Sequence, residues 1–148
     1  MMRNHLAETF RLPDWQSRTV GGVEHAGGLD VQGVELLREF RLEGGLPVWT
    51  FELDGHTVEK RLVLPYRQNT VHVLYTLVSG DGPVRLKVRP SVHFRGHDDH
   101  VNSAFRDPYT LIATPHRYEL SCGDPAYPKL RLAVAADDAA LTLDGRTV

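Results

Sequence analysis

Between Gly45 and Arg95 the apolar residues alternate with polar ones almost without interruption. That period of two belongs to β-strands with one buried face, and it excludes a helical reading of the centre of the chain. Trp49, Phe51 and Leu53 share one face; Val58, Leu62 and Leu64 share another. Between the two runs lies Asp54-Gly55, the strongest short hairpin signal. A two-residue turn there sets Phe51 against Val58 and Trp49 against Lys60. The Lys60 stem would then cover the indole while its ammonium reaches water.

The spacing predicts a second hairpin. Val71, Val73, Tyr75 and Leu77 alternate with polar positions, as do Val84, Leu86, Val88, Val92 and Phe94. A loop over Ser79-Gly80-Asp81-Gly82 would pair Leu77 with Val84 and Tyr75 with Leu86. The opposite face of the later strand carries Arg85, Lys87, Arg89, His93 and Arg95, which reads as a solvated basic stripe. Pro90 places that strand at an edge or a bulge. The expected core is Phe51, Val58, Val73, Tyr75, Leu86 and Val88.

Around this centre the punctuation is dense. Leu6–Leu12 reads as a first strand with Phe10 and Leu12 inward, and Gly21-Gly22 and Gly27-Gly28 bracket an irregular segment. Leu36–Leu42 is a strand that turns at Glu43-Gly44-Gly45. Gln68-Asn69 reads as a turn former between the two hairpins. Gly96–Arg106 is a histidine-rich loop, and Tyr109–Thr114, Arg117–Ser121 and Leu130–Val134 are short strands. No convincing helix exceeds about two turns. The fold class is therefore all-β, an antiparallel β-sandwich of the supersandwich-like kind. Ala140–Leu143 reads as a strand and Asp144-Gly145 as a turn, yet the chain stops at Val148. Residues 1–148 are thus expected to form a single sandwich domain, a truncated portion of a larger one, incomplete at one or both ends.

Composition narrows the partners. A formal charge of −2 over 148 residues gives no electrostatic reason for nucleic acid or an anionic membrane. The lone Cys122 rules out an internal disulfide framework and fits a cytoplasmic protein. Met1–Phe10 lacks the apolar centre of a signal peptide, and no apolar run is long enough to span a bilayer.

Candidate chemistry is sparse. His93, His97 and His100 with Asp98 and Asp99 form the one polar cluster, and its spacing could supply metal ligands. Zinc motifs of that spacing usually lie on a helix, whereas this segment leaves a strand, so no metal is assigned and no cofactor is called for. Asp98-Asp99 and Asp137-Asp138 are adjacent pairs that would diverge, unlike the separated carboxylates of glycoside hydrolysis. No catalytic residue is assigned. Trp49 reads as core. Trp15, in the polar stretch Pro13-Asp14-Trp15-Gln16, is the candidate for an exposed sugar-stacking platform.

Several blocks in order resemble one family. They are Pro47-Val48-Trp49-Thr50-Phe51, Val58-Glu59-Lys60-Arg61, Gln68-Asn69-Thr70-Val71 and Val84-Arg85-Leu86-Lys87-Val88-Arg89-Pro90, closing with Phe94-Arg95 and a nearby histidine. The chain resembles the amino-terminal domain of bacterial and archaeal glycogen debranching enzymes of the amylo-α-1,6-glucosidase type. The resemblance implies a β-sandwich preceding a catalytic barrel of paired helices, which carries the carboxylates for bond cleavage. The implied role is to support that barrel and shape access for branched α-glucan, without catalysis by this chain. The loop Arg95-Gly96-His97-Asp98-Asp99-His100 departs from the family's Arg-Asp pair followed by His. Arg95, His97 and His100, with Trp15, are the candidate substrate or interface residues. The alternatives are a free-standing carbohydrate-binding module and a metal-dependent hydrolase using His93, His97 and His100.

Overall fold

The computed structural model describes residues 2–25, 28–96, 98–100 and 108–142. The chain is nearly all β, with eleven strands in the described residues and one 3-10 turn at Val34–Leu36. Strands β1 (Met2–Arg11), β2 (Ser17–His25), β3 (Gly28–Gln32) and β8 (Arg85–Phe94) form one sheet in the order β3-β2-β1-β8. Strands β4 (Leu37–Glu43), β5 (Leu46–Leu53), β6 (His56–Val63) and β7 (His72–Ser79) form a second in chain order. Strands β9 (Thr110–Thr114), β10 (Arg117–Ser121) and β11 (Leu130–Ala133) form a third in the order β11-β10-β9. The chain divides into two compact units, Leu6–Arg89 and Met1–His5 with Pro90–Val148.

The central hairpin is the one the sequence predicts. Trp49 opposes Lys60 and Phe51 opposes Val58, around a turn with Asp54 at φ 48° and Gly55 at φ 84°. Positive φ at both central residues gives the turn the twist that a two-residue hairpin needs. Gly44 and Gly45 make the same kind of turn between β4 and β5, at φ 58° and 82°.

The second hairpin does not form. β7 pairs with β6, setting Tyr75 against Lys60 and Leu77 against Val58, and β8 belongs to the other sheet. Alternation fixes which face a side chain takes, not which strand lies beside it. The Gly80-Asp81-Gly82-Pro83 segment therefore carries the chain between sheets. Gly80 sits at φ 123°, and a Cβ there would lie 2.4 Å from the His56 ring. Gln68-Asn69 correspondingly lies on the β6–β7 connection, where Gln68 N–H bonds to Pro65 O at 3.2 Å. Pro90 is in β8, at the end of its sheet, as its missing N–H requires.

Three further readings are corrected. The glycine-bracketed segment is not irregular: β2 and β3 are paired strands, with Gly22 opposite Val31. Ala140–Thr142 is not a strand, and residues 143–148, including the Asp144-Gly145 turn, lie outside the described residues. Val88 is 39% exposed rather than core.

Within Leu6–Arg89 the first two sheets pack face to face. Phe10, Leu12 and Val20 from β1, its turn and β2 meet Phe51, Leu53 and Val58 from β5 and β6. The Phe10 ring lies 6.4 Å from Phe51 and 6.3 Å from Tyr75, centroid to centroid. Trp49, Tyr75, Val84 and Leu86 close the sides of this core, half-buried.

The other unit has its own apolar centre. Phe94 is buried edge-on against Tyr109 at 5.1 Å and Tyr127 at 6.4 Å, and its N–H donates to the Tyr109 hydroxyl at 2.9 Å. On β10, Glu119 pairs with Lys129 at 2.7 Å and with Arg131 at 3.1 Å. Those two cations hold its carboxyl below the usual range.

Phe51 sits at the centre of the Leu6–Arg89 core. Phe51→Ala should therefore cost about 3–5 kcal/mol, the cost of emptying a well-packed aromatic site. Denaturant melts check this, and a loss below about 1 kcal/mol would mean that the core is organised otherwise.

Candidate functional site

Three turns meet at one end of the Leu6–Arg89 sandwich. In the β1–β2 turn, Leu12 N–H bonds to Gln16 O at 2.9 Å and Trp15 N–H to Leu12 O at 3.0 Å. Asp14 Oδ1 accepts from Gln16 N–H at 3.0 Å, the local bond that makes aspartate a turn former. Trp15 is left at φ 69° with 70% of its surface exposed, and the Arg11 guanidinium stacks on its ring at 4.7 Å.

Arg18 joins this turn to the next. Its Nη2 donates to Gln16 Oε1 at 2.7 Å and pairs with Asp54 Oδ2, in the β5–β6 turn, at 2.6 Å. The third turn is the crossover before β8. There His56 Nε2 meets Asp81 O at 2.9 Å, and a Cβ on Gly82 would lie 3.0 Å from Pro13. The resulting end presents an aromatic face beside planar amide, guanidinium and carboxylate groups.

The hydrogen bond to the Asp81 carbonyl raises the His56 pKa above the usual 6.5, with burial opposing it and the carbonyls of Asp54 and Leu53 adding to it. A raised folded-state pKa means that the fold favours the imidazolium. Its contribution is fully present below the unfolded pKa and is lost as pH rises through the folded pKa.

Along the basic stripe Arg85 and Lys87 are exposed, Arg89 and His93 are half-buried, and Arg95 is turned inward. Arg95 is only 9% exposed, and its Nη1 donates to Asp99 O at 2.5 Å and Gly96 O at 3.4 Å. Asp99 Oδ2 in turn accepts from Gly96 N–H at 2.8 Å. The loop thus folds back over the guanidinium, leaving Asp98 and His100 exposed. His93 is half-buried, and His97 lies outside the described residues. Among the described residues no three His, Cys, Asp or Glu side chains gather as metal ligands. Trp15 belongs to the other compact unit.

Sequence reasoning passed over the most buried charge. Glu8, its side chain 3% exposed, accepts from Lys60 Nζ and from the Tyr75 hydroxyl, both at 2.5 Å on Oε1. Lys60 does lie over Trp49, at 5.3 Å, but its ammonium turns to Glu8 rather than to water. Burial first, then the Glu8 carboxylate, raises the Tyr75 phenol well above its usual range. The signal was available: Glu8, Phe10 and Leu12 share one parity, so an inward Phe10 puts Glu8 inward too. The cluster is closed to substrate and acts as a tie between sheets.

Two outcomes test this geometry. Lys60→Met keeps the stem but strands a buried carboxylate, and should cost about 3–5 kcal/mol; adding Glu8→Gln should recover part of that loss. In chemical melts across pH 6 to 8, wild type should lose stability relative to His56→Gln as pH rises. Parallel pH profiles would remove the Asp81 hydrogen bond from the account.

The family comparison reaches across both units. The family model described as glycogen debranching enzyme N terminal matches residues 1–146. No curated protein and no solved structure matches. Among the described residues no helix is long and apolar enough to cross a membrane. With nearly its whole length matched, and with the blocks around Trp49 and Lys60 building the observed sandwich, the chain belongs to the glycogen debranching enzyme N-terminal family.

Proposed function

We propose that this chain is the non-catalytic N-terminal β-sandwich of a glycogen debranching enzyme of the amylo-α-1,6-glucosidase type. It supports a helical-barrel catalytic domain in the cytoplasm and shapes the approach of branched α-glucan. The observation that carries the reading is the family match over residues 1–146. The chemistry agrees with it. Glycoside hydrolysis needs two carboxyl groups held apart across a sugar. The carboxylates at the centre of this sandwich are already committed: Glu8 to Lys60 and Tyr75, Glu43 and Glu59 to Arg41 and Arg61.

In this reading the loop after β8 is the contact with the barrel. Arg95 shapes it from within, through Asp99 O and Gly96 O, and the exposed His100 meets the partner domain. The purified chain should release no glucose from glycogen or limit dextrin, while the whole enzyme should do so. Sustained release by the chain alone, abolished by Asp98→Asn or Asp99→Asn, would overturn the proposal. In the whole enzyme, replacing Arg95 and His100 by alanine should lower activity or loosen the domains.

A further inference from the structure

Trp15 combines two properties that a structural tryptophan avoids. It is 70% exposed, and its backbone lies at φ 69°, a region that bulky residues rarely enter. Exposure means that the indole contributes little to the core. The left-handed backbone means that glycine or asparagine would fit the turn better. Strain retained at an exposed side chain argues for a use of that side chain.

The surroundings define the use. Arg11 stacks on one indole face at 4.7 Å, which fixes the ring and leaves the other face to solvent. A ring fixed in advance loses little freedom on binding. Gln16, Arg18 and Asp54 lie in the same and the adjoining turn, and Arg18 holds the other two at 2.7 and 2.6 Å. These planar groups offer paired donors and acceptors. Arg11 and Arg18 are offset by Asp14, Asp54 and, in the third turn, Asp81, so the end of the sandwich does not select an anion. One aromatic within a polar rim is also not the contiguous apolar patch of a protein interface. A neutral ligand with an apolar ring face and many hydroxyls fits both observations.

We propose that Trp15, held by Arg11, is a surface subsite on which a glucose ring of an α-glucan stacks, with Gln16, Arg18 and Asp54 bonding its hydroxyls. The choice of α-glucan rests on the family role proposed above; the subsite itself rests on the turn geometry. Tyr66 is an internal control. It too is exposed and stacked by an arginine, Arg67 at 5.3 Å, but it lies on the β6–β7 connection, at the other end of β6 from the three turns.

The test uses the 148-residue chain with maltoheptaose and soluble glycogen, and cellohexaose for comparison. Binding is read by calorimetry and tryptophan fluorescence, and folding by thermal melts. Wild type should bind the two α-glucans in preference to cellohexaose. Trp15→Ala should weaken binding roughly tenfold or more, and Trp15→Phe roughly threefold or less, as removal and retention of a stacking ring imply. Tyr66→Ala should leave binding unchanged. Trp15→Gly should lose binding yet melt no lower than wild type. Four results would overturn the proposal. Failure of wild type to bind either α-glucan would end the subsite and leave the family role standing. Equal binding of cellohexaose would remove the ligand class. Binding indifferent to Trp15→Ala would place glucan contact elsewhere on the chain. A marked fall in the Trp15→Gly melting temperature would make the indole a structural element.

Discussion

The Glu8 carboxylate is the constraint on which the Leu6–Arg89 sandwich depends. Its two partners come from strands 52 and 67 residues further along the chain. A carboxylate this buried is strongly unfavourable unless it is paired and hydrogen-bonded. It is satisfied only when β6 and β7 lie side by side beneath β1, each in one register. Lys60 and Tyr75 are direct cross-strand partners, and a register shift between Thr57 and Val58 precedes them along the ladder. An apolar residue at position 8 would tolerate neighbouring registers. The charge does not, so it adds specificity where hydrophobic burial alone is permissive.

Two of the blocks on which the family resemblance rests, Pro47–Phe51 and Val58–Arg61, lie at this tie and at its counterpart on the opposite face. In Glu59-Lys60-Arg61 the middle residue points into the sandwich, and the outer two point away from it. On that outer face Arg41 pairs with Glu59 at 2.5 Å, Glu43 at 2.8 Å and Glu39 at 3.0 Å. Arg61 pairs with Glu43 at 2.5 Å and Glu59 at 2.9 Å. Val48, between the two arginines on its neighbouring strands, is fully buried although it faces away from the core. The arginine hydrogen bonds hold the Glu59 and Glu43 carboxyls below their usual range. Single exposed pairs contribute little, but a lattice that also covers a valine adds packing to charge. The Glu59-Lys60-Arg61 block is thus a signature of fold.

How much of this was legible follows from what each signal encodes. Asp54-Gly55 specifies a turn, so the Trp49–Lys60 register could be read directly. Alternation in β7 specifies faces only. The choice of β6 over β8 as neighbour depends on Gly80 and Gly82 carrying the chain away, and on Tyr75 finding Glu8. Charged residues are read as outward by default, and that default concealed both Glu8 and the inward turn of Arg95. The exposure of Trp15 was legible because its neighbours Pro13, Asp14 and Gln16 are polar or turn-forming. Its positive φ was not, because nothing in a tryptophan announces a left-handed backbone.

That last residue separates two roles within one unit. Among the described residues four non-glycine positions have positive φ: Trp15, Asp54, Arg67 and His116. Arg67 and His116 lie in separate turns. Trp15 and Asp54 lie in turns of facing sheets that Arg18 joins at the same end. Asp54 has an evident reason, since a two-residue hairpin demands that conformation and aspartate tolerates it. Trp15 has no such excuse of residue type, so its conformation must be imposed by the turn bonds from Leu12 to Gln16. A sandwich tied at its centre by Glu8 and along its face by Arg41 and Arg61 can hold an unfavourable residue such as Trp15 at its rim. The strain therefore sits where its removal would cost the sheets nothing, which is also where a ligand can reach it.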